Sequence, residues 1–196
     1  KGGWLMIPIF LLSVLGIYII CERFVAIRKA ADTDRNFTAG IITEVGRGNR
    51  ATALQSCNAK NTPLARVLQK GILLHHIPAP DLRTSMENTA NLEIAALEKG
   101  LPTLATVSGL APMIGFLGTV VGMVQAFYDM SLAGNNINIT LLSRGIYTAM
   151  ITTVAGLIVG ILAYFAYNFL VARINTIANL MEDACSEFID FLYERK

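Results

Sequence analysis

Two uncharged segments of the chain each carry a line of small and hydroxyl-bearing residues, and these hydroxyls are the groups that could carry out chemistry there. The spacings within each line are three and four residues, so each line lies on one face of a helix. A threonine hydroxyl both donates and accepts hydrogen bonds, so it can relay a proton or coordinate an ion without a permanent charge. The two lines are Ser108, Ala111, Gly115, Thr119, Gly122 and Ala126, then Ala149, Thr153, Gly156, Gly160, Ala163 and Tyr167.

The same two lines also fit a purely structural role. Gly118 with Gly122, and Gly156 with Gly160, form G-x-x-x-G pairs, which are typical of helices in close contact within a membrane. In that role each threonine hydroxyl bonds to a carbonyl of its own helix. The spacing favours close packing over a hydrated path, and both interpretations stay open.

An ion that crosses a membrane needs a group with which it can exchange charge on the way. Proton relays in membranes commonly use buried Asp, Glu or His. Neither uncharged segment contains one. The titrating group must therefore come from a second polypeptide, or ion conduction is the wrong interpretation.

The rest of the sequence contains no recognisable catalytic or cofactor site, so we expect neither an enzyme nor a bound cofactor. A P-loop is excluded because the Gly-rich run from Gly115 to Gly122 has no following lysine. A metal site is disfavoured because the only histidines, His75 and His76, are adjacent and point to different faces of a helix. The net charge of +2 is too small to indicate a nucleic-acid partner.

Transmembrane helices are the elements that must position these hydroxyls. Residues 100–128 and 145–172 contain no charged side chain, and about 20 apolar residues are enough to cross a bilayer. A third uncharged run opens near Trp4 and ends at Cys21. We therefore predict an all-α membrane protein with transmembrane helices at 1–21, 104–128 and 145–172. A cleaved signal peptide is the alternative for the first run, but its apolar stretch is too long and lacks a small-residue cleavage site.

Basic residues predict the orientation of these spans, because Lys and Arg collect on the cytoplasmic side. Arg23, Arg28 and Lys29 directly follow the first span. We expect a periplasmic N-terminus, a cytoplasmic helical region at 22–103, a periplasmic loop at 129–144 and a cytoplasmic C-terminal helix at 173–196.

Short helices are expected in the cytoplasmic region. Gly46 to Asn49 marks a break, and Thr62-Pro63 has the residue types of a helix start. That helix should run to His75, and Asp81 should cap the next helix, which leads toward the second span.

The C-terminal tail carries a heptad-like apolar stripe, so it predicts a helix continuous with the third span, about 50 residues long. At ~1.5 Å per residue such a helix would extend far into the cytoplasm, as would the helix that leads into the second span. The stripe packs either on its own subunit or in an intersubunit coil. Its members are Leu170, Ile174, Ile177, Met181, Ala184, Phe188 and Phe191.

Two segments resemble the ExbB/TolQ/MotA family, the channel-forming subunits of ion-driven membrane motors. They are Leu117–Phe127 (LGTVVGMVQAF) in the second span and Thr152–Leu157 (TTVAGL) in the third. The opening Gly-Trp-x-Met-x-Pro and the Glu22-Arg23 pair are also similar. Three spans with a large loop between the first and second fit the ExbB/TolQ branch better than MotA, which has four spans.

The resemblance implies a homopentamer in the bacterial inner membrane, surrounded by lipid. The second and third spans would line a pore that holds two ExbD- or TolR-like partners, each with one span bearing an aspartate. That aspartate takes and releases protons beside channel hydroxyls, which match Thr119 and Thr153. The output would be ring rotation that drives TonB-like or Tol-Pal-like envelope proteins, with H⁺ as the ion and Na⁺ as the alternative.

One position departs from the family pattern. Well-known members carry a Glu five residues before the third-span threonine, where this chain has Thr148. Water held by Thr148, Thr152 and Thr153 could still pass protons, while the partner's aspartate would carry more of the traffic. The alternatives are a TolQ-like subunit, a MotA-like flagellar stator, and a passive scaffold packed through its Gly/Thr lines.

Overall fold

A computed structural model describes residues 3–32, 35–132 and 139–193, and every regular element in this part of the chain is an α-helix. Three stretches are long and apolar enough to cross a membrane: Met6–Ala30, Ala79–Leu132 and Ser143–Tyr193. The second and third of these are 54 and 51 residues long. The prediction of an all-α membrane protein with three spans, two of them in long helices, is confirmed. In chain order the helices are α1 (Met6–Ala30), α2 (Arg35–Gly46), α3 (Arg50–Lys60), α4 (Pro63–Leu73), α5 (Ala79–Glu98), α6 (Leu101–Leu132) and α7 (Ile139–Tyr193).

Helix boundaries follow local signals in the sequence. α4 begins as predicted, with Pro63 as its first residue and the Thr62 hydroxyl accepting a hydrogen bond from the Ala65 amide. It ends at Leu73, two residues before the predicted end. α7 is one helix of 55 residues, so the predicted continuity of the third span and the tail is confirmed. The described residues of the predicted 129–144 loop, 129–132 and 139–144, are all helical, and residues 133–138 lie outside the described part.

Two details of the second long stretch differ from the prediction. Asp81 is not the cap of α5, because the helix already begins at Ala79 after Pro78, whose fixed backbone suits this position; Asp81 lies in the first turn. The stretch is also interrupted at Lys99–Gly100, where Gly100 adopts a φ of +87°. A left-handed φ is accessible to glycine at little cost, so this residue separates α5 from α6.

The chain divides into two compact units. The first, which we call the span unit, comprises the residues up to 22 and 100–169. Here α1 packs on α6, and a Cβ added at Gly16 would lie 3.5 Å from the Val107 side chain. Many large apolar side chains of this unit are exposed, among them Phe10, Met113 and Phe165. Such a surface requires lipid or protein to cover it.

The second unit, the bundle unit, comprises residues 23–99 and the residues from 170 onward. Its core includes Leu68, Met86 and Phe188, which are fully buried. The apolar stripe of the tail, from Leu170 through Phe188, is buried within this same chain. Packing on its own subunit is therefore the correct alternative for the stripe.

Polar contacts also join the helices of the bundle unit. Arg66 makes two hydrogen bonds to the Glu93 carboxylate, at 2.5 and 2.6 Å, and a third to Asn61 Oδ1 at 2.8 Å. Arg23 donates to the carbonyl of Ala96 at 3.1 Å, and the Tyr193 hydroxyl donates to the carbonyl of Ile77. These bonds connect α4 to α5, α1 to α5, and the end of α7 to the α4–α5 connection.

Candidate functional site

The two lines of small residues form the contact between α6 and α7 in the span unit. A Cβ added at Gly156 would lie 2.5 Å from the carbonyl oxygen of Ala111, and one added at Gly122 would lie 2.7 Å from the Ala149 Cβ. At the far end, a Cβ on Gly145 would lie 2.6 Å from the Ala126 Cβ. Along these contacts the residue numbers increase on α6 from 111 to 126 while those of their partners on α7 decrease from 156 to 145, so the two helices are antiparallel. The small side chains therefore set the close approach of the backbones.

This contact brings the hydroxyls of Thr119 and Thr153 together. The two side chains are hydrogen-bonded to each other, and Thr153 Oγ1 also donates to the carbonyl of Gly115 at 2.8 Å. Thr119 Oγ1 lies 3.5 Å from the carbonyl oxygen of Ala149. These bonds run between the helices, whereas the packing interpretation expected each threonine to bond to its own helix. Both side chains are half-buried.

Each of the two hydroxyls has one proton to donate, so one acceptor site of the pair is left without a hydrogen bond. When Thr153 donates to Gly115, Thr119 can donate to Thr153, and the lone pairs of Thr119 Oγ1 are left to accept from an incoming donor. When Thr119 turns toward Ala149, Thr153 can donate to Thr119 instead. The pair can thus reverse its direction of donation, which is what a proton relay requires.

An apolar groove of about 690 Å³ lies beside the hydroxyl pair. Thr153 is its polar member. Met113 and Phe116 are 68% and 66% exposed, so the groove contributes to the exposed apolar surface of the span unit. The lining consists of Pro112, Met113, Phe116, Leu117, Val120, Thr153 and Leu157.

Thr148 and Thr152 lie against a different cavity, of about 270 Å³. Thr152 is buried, and its hydroxyl donates to the carbonyl of Thr148 in its own helix at 3.2 Å. Among the described residues, none lines both this cavity and the groove. The structure therefore brings Thr119 and Thr153 together and places Thr148 and Thr152 at a separate cavity, lined also by Gly3, Trp4, Leu5, Gly118, Val121, Gly122, Gln125 and Ala149.

Several other predicted residues of the two lines lie in the contact itself. Gly115 faces the backbone of Thr152 and Thr153, and Gly160 faces Pro112 and the carbonyl of Ser108. Ala111 and Ala149 are fully buried there. Prediction from residue types missed the Gly115 carbonyl, because a backbone acceptor leaves no trace in the sequence.

A further polar pair was also missed. Gln125 Nε2 donates to Asp129 Oδ1 at 2.8 Å near the end of α6. Spacing of four residues on a helix could have revealed it. Within the described part of the chain, no group of three or more His, Cys, Asp or Glu is arranged to hold a metal ion.

Comparison with known proteins gives consistent results. Residues 59–183 match the model of the MotA/TolQ/ExbB proton channel family. Over 176 residues the chain is 32% identical to "Putative biopolymer transport protein ExbB-like 1" of Synechocystis, a match that covers 88% of this chain and 68% of that protein. It is 26% identical to "Putative biopolymer transport protein ExbB homolog" of Methanothermobacter thermautotrophicus, over 89% of this chain and 62% of that protein.

A third relative carries a different name. "Tol-Pal system protein TolQ" of Haemophilus influenzae is 38% identical over 111 residues, which are 57% of this chain and 48% of that protein. The chain thus spans about half to two thirds of the length of these relatives.

Proposed function

The chain belongs to the MotA/TolQ/ExbB proton channel family, and from this premise we propose that it is the channel-forming subunit of an inner-membrane motor driven by the proton motive force. In this proposal five copies surround an ExbD-like dimer and transmit energy to TonB-type envelope transport. The observation that carries the proposal is the Thr119–Thr153 hydroxyl pair, bonded between two helices beside an open groove.

The groove is suited to the single span of a partner. Its lining is apolar apart from one hydroxyl, and the exposure of Met113 and Phe116 leaves a surface that another helix can cover. A helix in this groove would place its side chains next to Thr153. An apolar helix with one aspartate would satisfy both the groove and the hydroxyl pair.

The chemistry assigned to the pair follows from its protons. A protonated aspartic acid on the partner donates to the open lone pairs of Thr119 Oγ1, and the ionised form accepts from a reoriented hydroxyl. The hydroxyls thereby stabilise both states of the carboxyl in a medium that would otherwise penalise its charge. The channel subunit needs no titrating group of its own between Lys99 and Asp129 or between Arg144 and Arg173.

Thr148 has a secondary part in this proposal. With a threonine where well-known members have Glu, the partner's aspartate carries the charge exchange, and water near Thr148 and Thr152 supplies hydration. The translocated ion is H⁺, and no cofactor takes part. The N-terminus faces the periplasm, and residues 22–103 and 173–196 face the cytoplasm, in agreement with the basic residues after the first span.

A TolQ-like role is the second candidate. It is favoured by the 38% identity to the TolQ protein over 111 residues. The same site would then serve Tol-Pal-type envelope proteins. Complementation of strains that lack either system distinguishes the two roles.

The test replaces each threonine of the pair by valine, which removes the hydroxyl and nearly keeps the side-chain volume. Thr119→Val and Thr153→Val should each lower proton flux through the complex by about a hundredfold, because a positioned proton-transfer group contributes at least that much. The complex is purified through a tag on this chain and reconstituted in vesicles, and flux is followed with a pH-sensitive dye.

Thr106→Val is the matched control, since Thr106 is exposed on the same helix and donates to its own Pro102 carbonyl at 2.9 Å. Native mass spectrometry should give five copies with two partners for all three variants. A passive scaffold predicts unchanged flux in Thr119→Val and Thr153→Val, and that result would refute the proposal.

A further inference from the structure

The cavity of about 270 Å³ beside α6 and α7 has polar groups that lie apart from the Thr119–Thr153 hydroxyl pair. Gln125 and Thr148 lie on its α6 and α7 sides, and Trp4 and Leu5 close another side. No hydrogen bond joins the Thr148 hydroxyl to another residue that the structure describes. The Gln125 amide donates to Asp129, which leaves its Oε1 to accept.

One acid and one base lie beyond the lining residues of this cavity on α6 and α7, toward the same end of the two helices, and neither belongs to the lining itself. Asp129 lies one helical turn beyond Gln125, to which it is bonded at 2.8 Å, and Arg144 lies one turn before Thr148. The close contact between Gly145 and Ala126 holds Arg144 at the level of the Gln125–Asp129 turn. Both charged side chains are exposed, and among the described residues no ion pair joins them.

We propose that this cavity binds the headgroup end of a phospholipid that carries both a phosphate and a primary ammonium, as phosphatidylethanolamine does. Arg144 pairs with the phosphate, and the Thr148 hydroxyl donates to it. Asp129 and Gln125 Oε1 accept from the ammonium, and the Trp4 ring provides a cation–π contact. Leu5 and the neighbouring apolar lining contact the upper part of an acyl chain.

A membrane lipid fits better than a soluble ligand for two reasons. Asp129 and Arg144 are the residues at which the charge-free segments end, which is the level of lipid headgroups. Trp4 is 71% exposed, as is common for tryptophan at the membrane interface. The pairing of one acid with one base complements a zwitterion rather than an anion. This inference does not depend on proton passage at Thr119 and Thr153.

The single tryptophan of the chain lines this cavity, so its fluorescence reports on the occupant. The full chain is reconstituted in phosphatidylcholine vesicles with a small fraction of lipid brominated near the glycerol. Brominated phosphatidylethanolamine should quench Trp4 at about a tenfold lower fraction than brominated phosphatidylcholine or phosphatidylglycerol. All three lipids carry the phosphate, but only the primary ammonium can donate charge-assisted hydrogen bonds to Asp129 and Gln125. Equal quenching by all three lipids, or stronger quenching by phosphatidylglycerol, would overturn the proposal.

Charge variants test whether Asp129 contacts the lipid ammonium and Arg144 the lipid phosphate. Asp129→Asn should remove the preference for phosphatidylethanolamine. Arg144→Gln should instead weaken quenching by all three lipids, because each carries the phosphate, whereas Arg144→Lys keeps the charge and should retain most of the quenching. Arg50→Gln, an exposed arginine of the bundle unit, is the matched control and should leave the preference unchanged. A preference that persists in Asp129→Asn, or quenching that is unchanged in Arg144→Gln, would contradict the assignment.

A separate arm of the experiment tests a soluble molecule that carries the same phosphate and ammonium groups. Phosphoethanolamine without acyl chains should not relieve quenching by the brominated lipid. Full relief at comparable concentration would identify a site for soluble headgroups and refute the lipid assignment. Because quenching is independent of proton flux, failure here is distinguishable from failure of the proposed motor function.

Discussion

The hydroxyls of Thr119 and Thr153 differ from ordinary helix threonines because their partners lie on the opposite helix. Thr106, Thr152 and Thr176 each donate to a carbonyl four residues earlier in their own helix. Thr153 instead reaches Gly115 on α6, and it can do so only because glycines bring the two backbones together. The helical line of small residues could be read from the sequence. The pairing across it could not, because the register between two helices depends on both of them.

Replacing Gly156 by alanine tests this dependence on close approach. An added methyl would lie 2.5 Å from the Ala111 carbonyl oxygen and 3.2 Å from the Gly115 nitrogen, both of which are backbone atoms that cannot move aside. Gly156→Ala should therefore separate the helices, lower the free energy of unfolding by about 1–3 kcal/mol and break the Thr153–Gly115 bond. Denaturant titration in detergent, followed by circular dichroism, measures the change in stability.

Gly109→Ala is the control for this substitution. Gly109 lies on α6 with no atom within 4 Å of an added Cβ, so the same change should be neutral or slightly stabilising, since alanine favours helix. Equal unfolding midpoints for the two variants would show that the glycine contact does not hold the hydroxyl pair in place.

Within the bundle unit, the tail of α7 buries its apolar stripe, and Phe188 lies against α4 and α5. Gly71 illustrates the tightness of this packing, because an added Cβ would lie 2.8 Å from both the Met86 sulfur and the Phe188 ring. The start of α4 and the continuity of α7 were predictable from a Thr-Pro pair and a regular stripe. The break at Gly100 was not predictable, because no periodic apolar pattern in the sequence ends at this glycine.

Thiol reactivity reports on the integrity of this bundle. Cys57 and Cys185 are buried, and burial raises the pKa of each to about 11 from an ordinary value of 9.0. In a Cys21→Ser background, at a pH below 9, the thiolate fraction of both groups should be about a hundredfold lower than in the unfolded chain. Maleimide should therefore modify them very slowly, since the thiolate is the reactive form.

Phe188→Ala should accelerate this labelling, because loss of a fully buried ring costs about 3–5 kcal/mol and opens the bundle. Leu92→Ala is the control on the exposed surface of α5. Rapid modification of Cys185 in the folded parent would contradict the packing of the tail on its own subunit.

For the whole molecule, the distribution of charged residues and of exposed apolar side chains determines which other molecules must surround the chain. The span unit exposes large apolar side chains, and its long uncharged segments contain no titrating Asp, Glu or His. Lipid can cover the apolar surface but cannot supply a carboxylate to the hydroxyl pair. Family membership was predictable from two motifs, whereas the copy number and the partner of the proposed complex concern other chains and left no pattern in this sequence.

Photo-crosslinking from the groove measures directly whether a second polypeptide lies beside the hydroxyl pair. Phe116 lines the groove and is 66% exposed, and Phe165, at 72% exposed, lines neither cavity. A benzoylphenylalanine at Phe116 in the native membrane should crosslink to a single-span protein, at a peptide that contains a transmembrane aspartate. The same group at Phe165 should not give this adduct. Adducts to lipid alone at Phe116, or the same adducts from both positions, would contradict the proposed channel.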